Sequence, residues 1–358
     1  MKTSYALVVA VGSLVATPAF AETVAREQVT LGRLADASNR VVLAKVSDAP
    51  AGKVRLDVEE AVKGAKTSFD ASTPSDRTCC GETHVKAGDR GLFFVSPSGD
   101  FHFIAAASDA DAQALVAAAR TRLVTVGGAK DGLRKDLLAQ LASSNRRVRE
   151  DAALDLVAIK DLVTDGASRT AVANALAAAV KAGEPATTLL GLAVKTPSPA
   201  ALEPAMQAAL SAKDDATFDA AAKAVRAVED GAVTVTPRLL EALQGEQAPT
   251  AARFLGRLGG EGVVPALAKA LSSDKAELRR AAIDGLSRVP ADGGSAAEAL
   301  DSVLRAPRNA EETRLVLAAL ATLPEGARLL ANAAKTNPDG ATRRLAHRLT
   351  LDPAQTAR

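Results

Sequence analysis

The chain has 358 residues, of which 44 are basic and 42 are acidic, and its formal net charge is +2. This near balance argues against a protein that binds nucleic acid by neutralising phosphates, and 47% hydrophobic residues argue against a disordered chain. Two cysteines exclude a dense disulfide scaffold, whereas the length allows two or three domains with packed cores. Alanine accounts for 80 residues and aromatics for only 3%, which predicts closely packed helices because small side chains let helices approach.

The first 21 residues have the layout of a secretory signal peptide. Lys2 gives a positive start, an apolar run covers residues 6–15, and Ala19-Phe20-Ala21 places small residues before a cleavage point. A membrane anchor is the alternative, but the apolar run is shorter than the roughly 20 residues that span a bilayer. We therefore expect cleavage after Ala21, no transmembrane segment after cleavage, and a periplasmic or secreted protein.

Residues 22–125 are predicted to form a small β-rich domain with flanking helices. A helix is expected from Thr30 to Ser38, followed by a strand in the apolar run from Val41 to Val46. Residues 54–59 alternate between apolar and charged side chains, as in a half-buried strand.

The end of this β-rich domain is predicted to be a hairpin and a helix. Residues 91–95 and 101–104 form the two strands of the hairpin, and the turn between them contains proline and glycine. A helix over residues 112–124 follows, with Asp109 or Asp111 as its N-cap.

A linker over residues 126–130 is expected to lead into helical repeats over residues 131–352, with a short tail over residues 353–358. Short amphipathic segments alternate there with Gly, Pro, Asp and Ser, and the pattern recurs roughly every 30 residues, as in two-helix repeats. The apolar centres of the second helices are predicted near Ala152, Leu190, Ala221, Ala252, Ala282, Val316 and Leu345.

Two segments share most of their pattern: LLAQLASSNRRVREDAALDL (137–156) and LAKALSSDKAELRRAAIDGL (267–286). A leucine-rich helix, a polar turn and then Val/Leu-Arg-x-x-Ala resemble the HEAT repeat in its short bacterial form. The resemblance implies an α-helical solenoid over about residues 131–352, stacked pair on pair. It also implies that Arg149 and Arg279 brace the inter-helix turn and neighbouring acidic groups.

The β-rich domain resembles the small barrel of netrin and tissue inhibitors of metalloproteinases. The resemblance lies in VEEAVKG (58–64), Cys80-Gly81 and GDRGLFF (88–94), with Gly91 where tyrosine is usual. It implies an OB-like β-barrel that contacts oligomers or proteins. Those inhibitors act through an amino-terminal cysteine, and a mature chain starting at Glu22 has none. The fold class expected for the whole chain is therefore α+β, with a small barrel before a helical solenoid.

The pair Cys79-Cys80 has several readings in an oxidising compartment. Adjacent Cα atoms lie about 3.8 Å apart, so a vicinal disulfide between them would be strained. Unremarkable thiols, intermolecular pairing, and a soft-metal or redox site with His84 are the alternatives, because thiolate and imidazole suit Cu(I) or Zn.

The other histidines show no metal-ligand spacing. His102 lies between Phe101 and Phe103, so its side chain is expected to face solvent. His347 lies in a basic terminal helix with Arg343, Arg344 and Arg348, which is either a solvated face closing the repeats or a surface for an anionic partner.

Catalytic motifs are absent from the sequence: it contains no Gly-x-Ser-x-Gly, phosphate loop or His-Glu-x-x-His. We therefore expect a non-enzymatic interaction or scaffold protein that binds a protein partner on the solenoid surface, with no cofactor and no nucleic acid. The alternatives are a metal- or redox-linked role for Cys79, Cys80 and His84, and an enzyme that positions a cofactor such as a tetrapyrrole.

Overall fold

The computed structural model describes residues 30–50, 52–72, 85–124, 130–158, 165–290 and 293–351. It divides into two compact units, residues 1–133 and 134–358. The predicted signal peptide and tail lie outside the described residues, and so does the predicted linker except for Lys130. Residues 22–29 of the predicted β-rich domain also lie outside them, so the description of that domain begins at Thr30. The layout is α+β: a small antiparallel sheet comes first and helices follow.

The first unit is built on five antiparallel strands in the order β3-β2-β1-β4-β5. The strands are β1 (Arg40–Asp48), β2 (Lys53–Lys63), β3 (Phe69–Ser72), β4 (Arg90–Val95) and β5 (Phe101–Ala105). The sheet curls into a half-barrel. Its two edges approach each other closely enough for a parallel bridge between Ser72 and Asp100.

Two helices accompany the sheet: α1 (Leu31–Ala37) and α2 (Asp109–Val124), which pack against each other. The predicted α1 is confirmed, and the hydroxyl of Thr30 caps it by accepting the N–H of Arg33. The prediction for α2 is corrected, because the helix begins at Asp109 and the hydroxyl of Ser108 accepts the N–H of Asp111. Serine is as favourable as aspartate at an N-cap, so residue type alone does not distinguish Ser108 from Asp109 as the cap.

The predicted strands and hairpin are confirmed, and one strand was missed. In β2, Val54 and Leu56 are buried while Arg55 and Asp57 are exposed. The four residues of β3 are too few to show an alternating pattern, and they form a strand because they pair with β2.

An apolar core lies on one face of the curled sheet, with Phe93 at its centre. The ring centroid of Phe93 lies 4.6 Å from that of Phe103 and 5.5 Å from that of Phe101. Gly91 lies beneath this layer, where an added Cβ would come within 2.1 Å of the Ile104 carbonyl oxygen and 2.7 Å of the Phe103 ring. The tyrosine usual in the netrin-like pattern therefore does not fit at this position.

The helices beyond the sheet follow one another as seven pairs in the described residues. They are α3 (Lys130–Gln140) with α4 (Arg146–Ala158), α5 (Gly166–Lys181) with α6 (Thr187–Lys195), α7 (Leu202–Leu210) with α8 (Asp215–Ala227), α9 (Gly231–Ala242) with α10 (Ala248–Leu258), α11 (Val263–Ala270) with α12 (Ala276–Ser287), α13 (Gly293–Arg305) with α14 (Ala310–Thr322), and α15 (Gly326–Thr336) with α16 (Gly340–Leu351). The first turn of α3 contains the boundary between the two units.

Local sequence sets where these helices begin. Five of them start after an Asn or Asp whose side chain accepts the N–H of the third helical residue, at 2.7–3.1 Å. These caps are Asn145, Asp165, Asp214, Asn309 and Asp339.

The second helices of successive pairs pack on one another from α4 to α16, and the first helices do so from α5 to α15. The contact between α10 and α12 is the closest, because Gly256 and Gly285 face each other. A Cβ added at Gly256 would lie 2.1 Å from the Gly285 carbonyl oxygen. Small residues at the crossing therefore set how near two neighbouring pairs lie.

The predicted helix centres are buried in most pairs, as expected for stacked repeats. The prediction for the last pair is one residue out of register. Ala346 is fully buried, whereas Leu345 is half-buried and lies at the surface beside α14.

Candidate protein interaction surface

Three arginines repeat one structural role in the helical unit. Arg149, Arg279 and Arg343 are each the fourth residue of a second helix, and each guanidinium donates to two backbone carbonyls of the turn before that helix. The acceptors are Ser143 and Ser144 (2.6 and 2.8 Å), Ser273 and Asp274 (2.8 and 2.9 Å), and Asn337 and Pro338 (2.7 and 3.0 Å). The bracing role predicted for Arg149 and Arg279 is confirmed, and Arg343 shares it.

Two of these arginines also join consecutive pairs. Nη2 of Arg149 donates to both carboxylate oxygens of Glu184, and Arg279 reaches Glu312 at 2.5–2.7 Å. The Arg279 and Glu312 side chains are only 9% and 4% exposed, so the pair is isolated from water. Removing either partner would leave the other as a buried, uncompensated charge, which is strongly destabilising.

A third connection runs through Arg257 on α10. Its side chain is 4% exposed and donates to Asp219 at 2.8 Å and to Asp215 at 2.6 Å, both on α8. The guanidinium carbon also lies 4.8 Å from the centre of the Phe218 ring. Arg288 extends the network by bridging Asp215 to Asp284 on α12. These charges are used to hold α8, α10 and α12 together.

The structure separates the basic residues of the terminal helix into different roles. Arg343 is bonded to the preceding turn, and His347 is exposed. Arg344 and Arg348 instead line a groove between α14 and α16, opposite Arg314 on α14.

The groove between α14 and α16 has a volume of about 1110 Å³. Its lining includes four apolar side chains, called the apolar floor below: Leu315, Ala318, Leu345 and Leu349. Leu315 is 37% exposed, which makes it one of the few large apolar side chains at the surface of the described residues. The groove thus combines accessible apolar area with three cationic side chains.

One carboxylate lines the groove, and it is already engaged by its own helix. Asp339 caps α16 by accepting the hydroxyl of Thr342 at 2.6 Å and its backbone N–H at 2.7 Å. These bonds, with a smaller contribution from the charge of Arg344, hold the pKa of Asp339 below its ordinary value of 3.8. Within the described part of the chain, Arg314, Arg344 and Arg348 form no ion pair.

The sequence-predicted metal or redox site cannot be placed, because Cys79, Cys80 and His84 all lie outside the described residues. Among the residues that are described, no group of three or more potential metal ligands occurs. His102 is half-buried rather than solvent-facing, since it pairs across the sheet with buried Phe94. No helix in the described ranges is long and apolar enough to span a membrane.

The groove was missed by sequence reasoning, although part of its signal was visible. Arg344 and Arg348 are four residues apart and therefore lie on one helix face, which was noted as a basic surface. The sequence does not predict the apolar floor, because its pattern places Leu345 at the buried centre of the helix.

Comparison with known proteins does not name a family. No family model matches the chain, and no curated protein matches it. Two crystal structures of engineered proteins each align with 70% of this chain. One is 16% identical over 76% of its own length with a TM-score of 0.29, and the other is 17% identical over 93% with a TM-score of 0.22. At such scores the alignments establish neither fold nor function.

Proposed function

We propose that this protein is a non-enzymatic interaction scaffold whose helical unit binds a protein partner. The observation that carries the proposal is the groove between α14 and α16, where apolar side chains lie beside three arginines that form no ion pair with any described residue. An exposed apolar surface rimmed by polar groups is typical of a protein-binding site.

We further propose that the helical unit is a HEAT-like solenoid. Its support is the succession of seven pairs and the arginine that recurs at one position in three of them. In such arrays each pair is stabilised mainly by its neighbours, so the stack offers a continuous surface for a partner. The buried ion pairs that join neighbouring helix pairs suit a scaffold. Their acidic and basic side chains stabilise the packing of the helices and are not available for proton transfer.

The half-barrel sheet is proposed to be a netrin-like, OB-like contact domain. Three residues of the motif that suggested this family have clear structural roles. Lys63 donates to the Ala35 carbonyl at 3.1 Å, and Gly64 has a φ of +89°. Arg90 bridges Glu59 and Asp109, and the hydrogen bonds that it donates to the Glu59 carboxylate are the main reason that its pKa is raised.

The proposed location is the periplasm or the exterior of the cell, which rests on the signal-peptide pattern of the first 21 residues. Mass spectrometry of the protein recovered from the extracytoplasmic fraction should find Glu22 as the first residue. An intact N-terminus, recovered only from the cytoplasm, would contradict the proposal.

Photo-crosslinking in the native compartment tests the scaffold function. A benzophenone amino acid is placed at Leu315 in the groove and, separately, at exposed Lys223 on α8 and exposed Arg169 on α5. We expect at least one position to give a discrete adduct with the same partner protein in repeated experiments. Failure of all positions to trap any protein above the level of an unlabelled chain would refute the function.

A further inference from the structure

We propose that the groove between α14 and α16 binds an acidic, amphipathic helical segment of the partner. This inference rests on the proposed function and specifies the chemistry that the groove recognises. It follows from three observations: the apolar floor, the sign of the charges around it, and the spacing of the arginines along α16.

The floor supplies the apolar half of the recognition. Leu315 and Ala318 come from α14, while Leu345 and Leu349 come from α16, so the apolar strip is shared by two adjacent helices. Leu315 is 37% exposed and Ala318 and Leu345 are half-buried, whereas Leu349 is buried at 7% exposure. Covering this strip with apolar side chains of a partner would remove it from water, which favours binding.

The charges supply the sign. Arg314 lies on one wall, and Arg344 and Arg348 lie on the other. The nearby acidic residues of α14 are already paired, since Glu311 binds Arg280 at 2.7 Å and Glu312 is buried against Arg279. Asp339 also lines the groove and is ionised at neutral pH, so three arginines against this one carboxylate leave the rim net positive, which attracts an acidic segment and disfavours a basic one.

The walls favour a helical ligand. Arg344 and Arg348 are separated by one helical turn along α16, so acidic residues spaced four apart on a ligand helix match them. Apolar residues on the adjoining face of that helix, at i, i+3, i+4 and i+7, would contact the floor.

A second cavity of the helical unit gives a useful contrast. It has a volume of about 390 Å³ and lies between α5 and α7, with Lys181 and Glu203 among its lining residues. Glu203 is ion-paired with Arg238, so this cavity has no comparable excess of unpaired charge of one sign. Of these two sites, charge selectivity is therefore expected at the groove between α14 and α16.

Direct binding to the full chain tests the proposal with designed peptides. The probe is a fluorescein-labelled helix of about 15 residues, long enough for the helix to form on binding, with leucines on one face and glutamates elsewhere. Matched peptides replace every glutamate by glutamine or by lysine. We expect the glutamate peptide to bind about tenfold more tightly than the glutamine peptide, the lysine peptide not to bind, and added salt to weaken binding.

Charge reversal in the protein provides the second arm. Arg344→Glu with Arg348→Glu should weaken binding of the glutamate peptide by at least about tenfold and create binding of the lysine peptide. The control is Arg169→Glu with Arg328→Glu, which makes the same change in net charge at exposed positions away from the groove and should leave both affinities unchanged. Gain of lysine-peptide binding also shows that the reversed variant is folded.

Several results would overturn the inference. Equal binding of the glutamate and lysine peptides, or an unchanged affinity after charge reversal, would show that the groove does not select acidic helices. Self-association lost in the reversed variant would assign the groove to a second copy of the chain, and a crosslink from position 315 to residues 352–358 would assign it to the chain's own tail. Partner adducts at Lys223 or Arg169 without peptide binding would leave the scaffold function standing while refuting this site.

Discussion

Single arginines decide how the helix pairs are joined. Arg279 donates hydrogen bonds to the turn carbonyls of its own helix pair and to the buried carboxylate of Glu312 in the next helix pair. The neighbouring Arg280 also forms an ion pair, with Glu311 at 2.7 Å, but those side chains are 45% and 62% exposed. Burial therefore separates a structural charge from a surface one, although the two arginines are adjacent in sequence.

Arg279→Ala should lower the free energy of unfolding by about 3–5 kcal/mol, because it leaves the Glu312 carboxylate buried without a partner. Arg280→Ala is the matched control and should cost only about 0–1 kcal/mol, as is usual for exposed pairs. Urea unfolding followed by circular dichroism measures both. The double change Arg279→Met with Glu312→Leu should recover much of the loss, and equal costs for the two alanine variants would disprove the bracing role.

The cap of α16 makes stability depend on pH in the acid range. The Thr342 hydroxyl and N–H hold the pKa of Asp339 below 3.8, so the ionised carboxylate stabilises the fold. The folded-state pKa is the lower one, so this contribution is present above pH 3.8 and is lost as the pH falls through the folded-state pKa.

Asp339→Asn should consequently be less stable than the natural chain at pH 7, and the gap should close as the pH falls below 3.8. Urea midpoints measured from pH 7 to pH 3 test this. Thr342→Val, which removes the hydroxyl donor, should reduce the same pH dependence. A gap that widens toward acid pH would contradict the assignment.

Among the helices, the distance between two neighbouring second helices depends on glycines where they cross. Gly256 of α10 and Gly285 of α12 allow the two backbones to meet, and an added Cβ at Gly256 has only backbone atoms as its nearest neighbours. Backbone cannot move aside as a flexible side chain can, so neighbouring pairs would have to separate.

Gly256→Ala should therefore destabilise the helical unit by about 1–3 kcal/mol through overpacking. Gly191→Ala is the control, since Gly191 lies inside α6 with nothing within 4 Å of an added Cβ. There alanine should stabilise the helix by about 0.5–1 kcal/mol, because glycine loses more conformational freedom on folding. Thermal and urea unfolding of both variants give the comparison, and effects of the same sign would count against the close approach.

The chain as a whole consists of two compact units, and different kinds of contact organise each of them. The first is organised by a sheet whose strands pair across long sequence separations, as β1 does with β4. The second is organised by contacts between neighbouring pairs. Each unit thus contains its own buried core.

A fragment of residues 130–358 should fold alone, because its buried residues are covered by its own helices. We expect its helical circular dichroism signal to be close to that of the same residues in the full chain, and its urea unfolding to be cooperative. A fragment of residues 130–309, which lacks α14 to α16, should be markedly less stable since it uncovers the face of α12. Circular dichroism of the two fragments measures this. A longer fragment without a cooperative transition would refute the independence of the helical unit.

Local patterns in the sequence are enough to predict a β-rich start followed by paired helices, since periods of 2 and 3.6 residues and a recurrence of roughly 30 residues are local signals. It also identified Arg149 and Arg279, because they recur at the same place in two similar segments. The tertiary structure alone decided that β3 is a strand and that Gly91 excludes a larger side chain. It also decided that Leu345 faces a groove and not the core, because pairing, close approach and burial depend on neighbours that are distant in the chain.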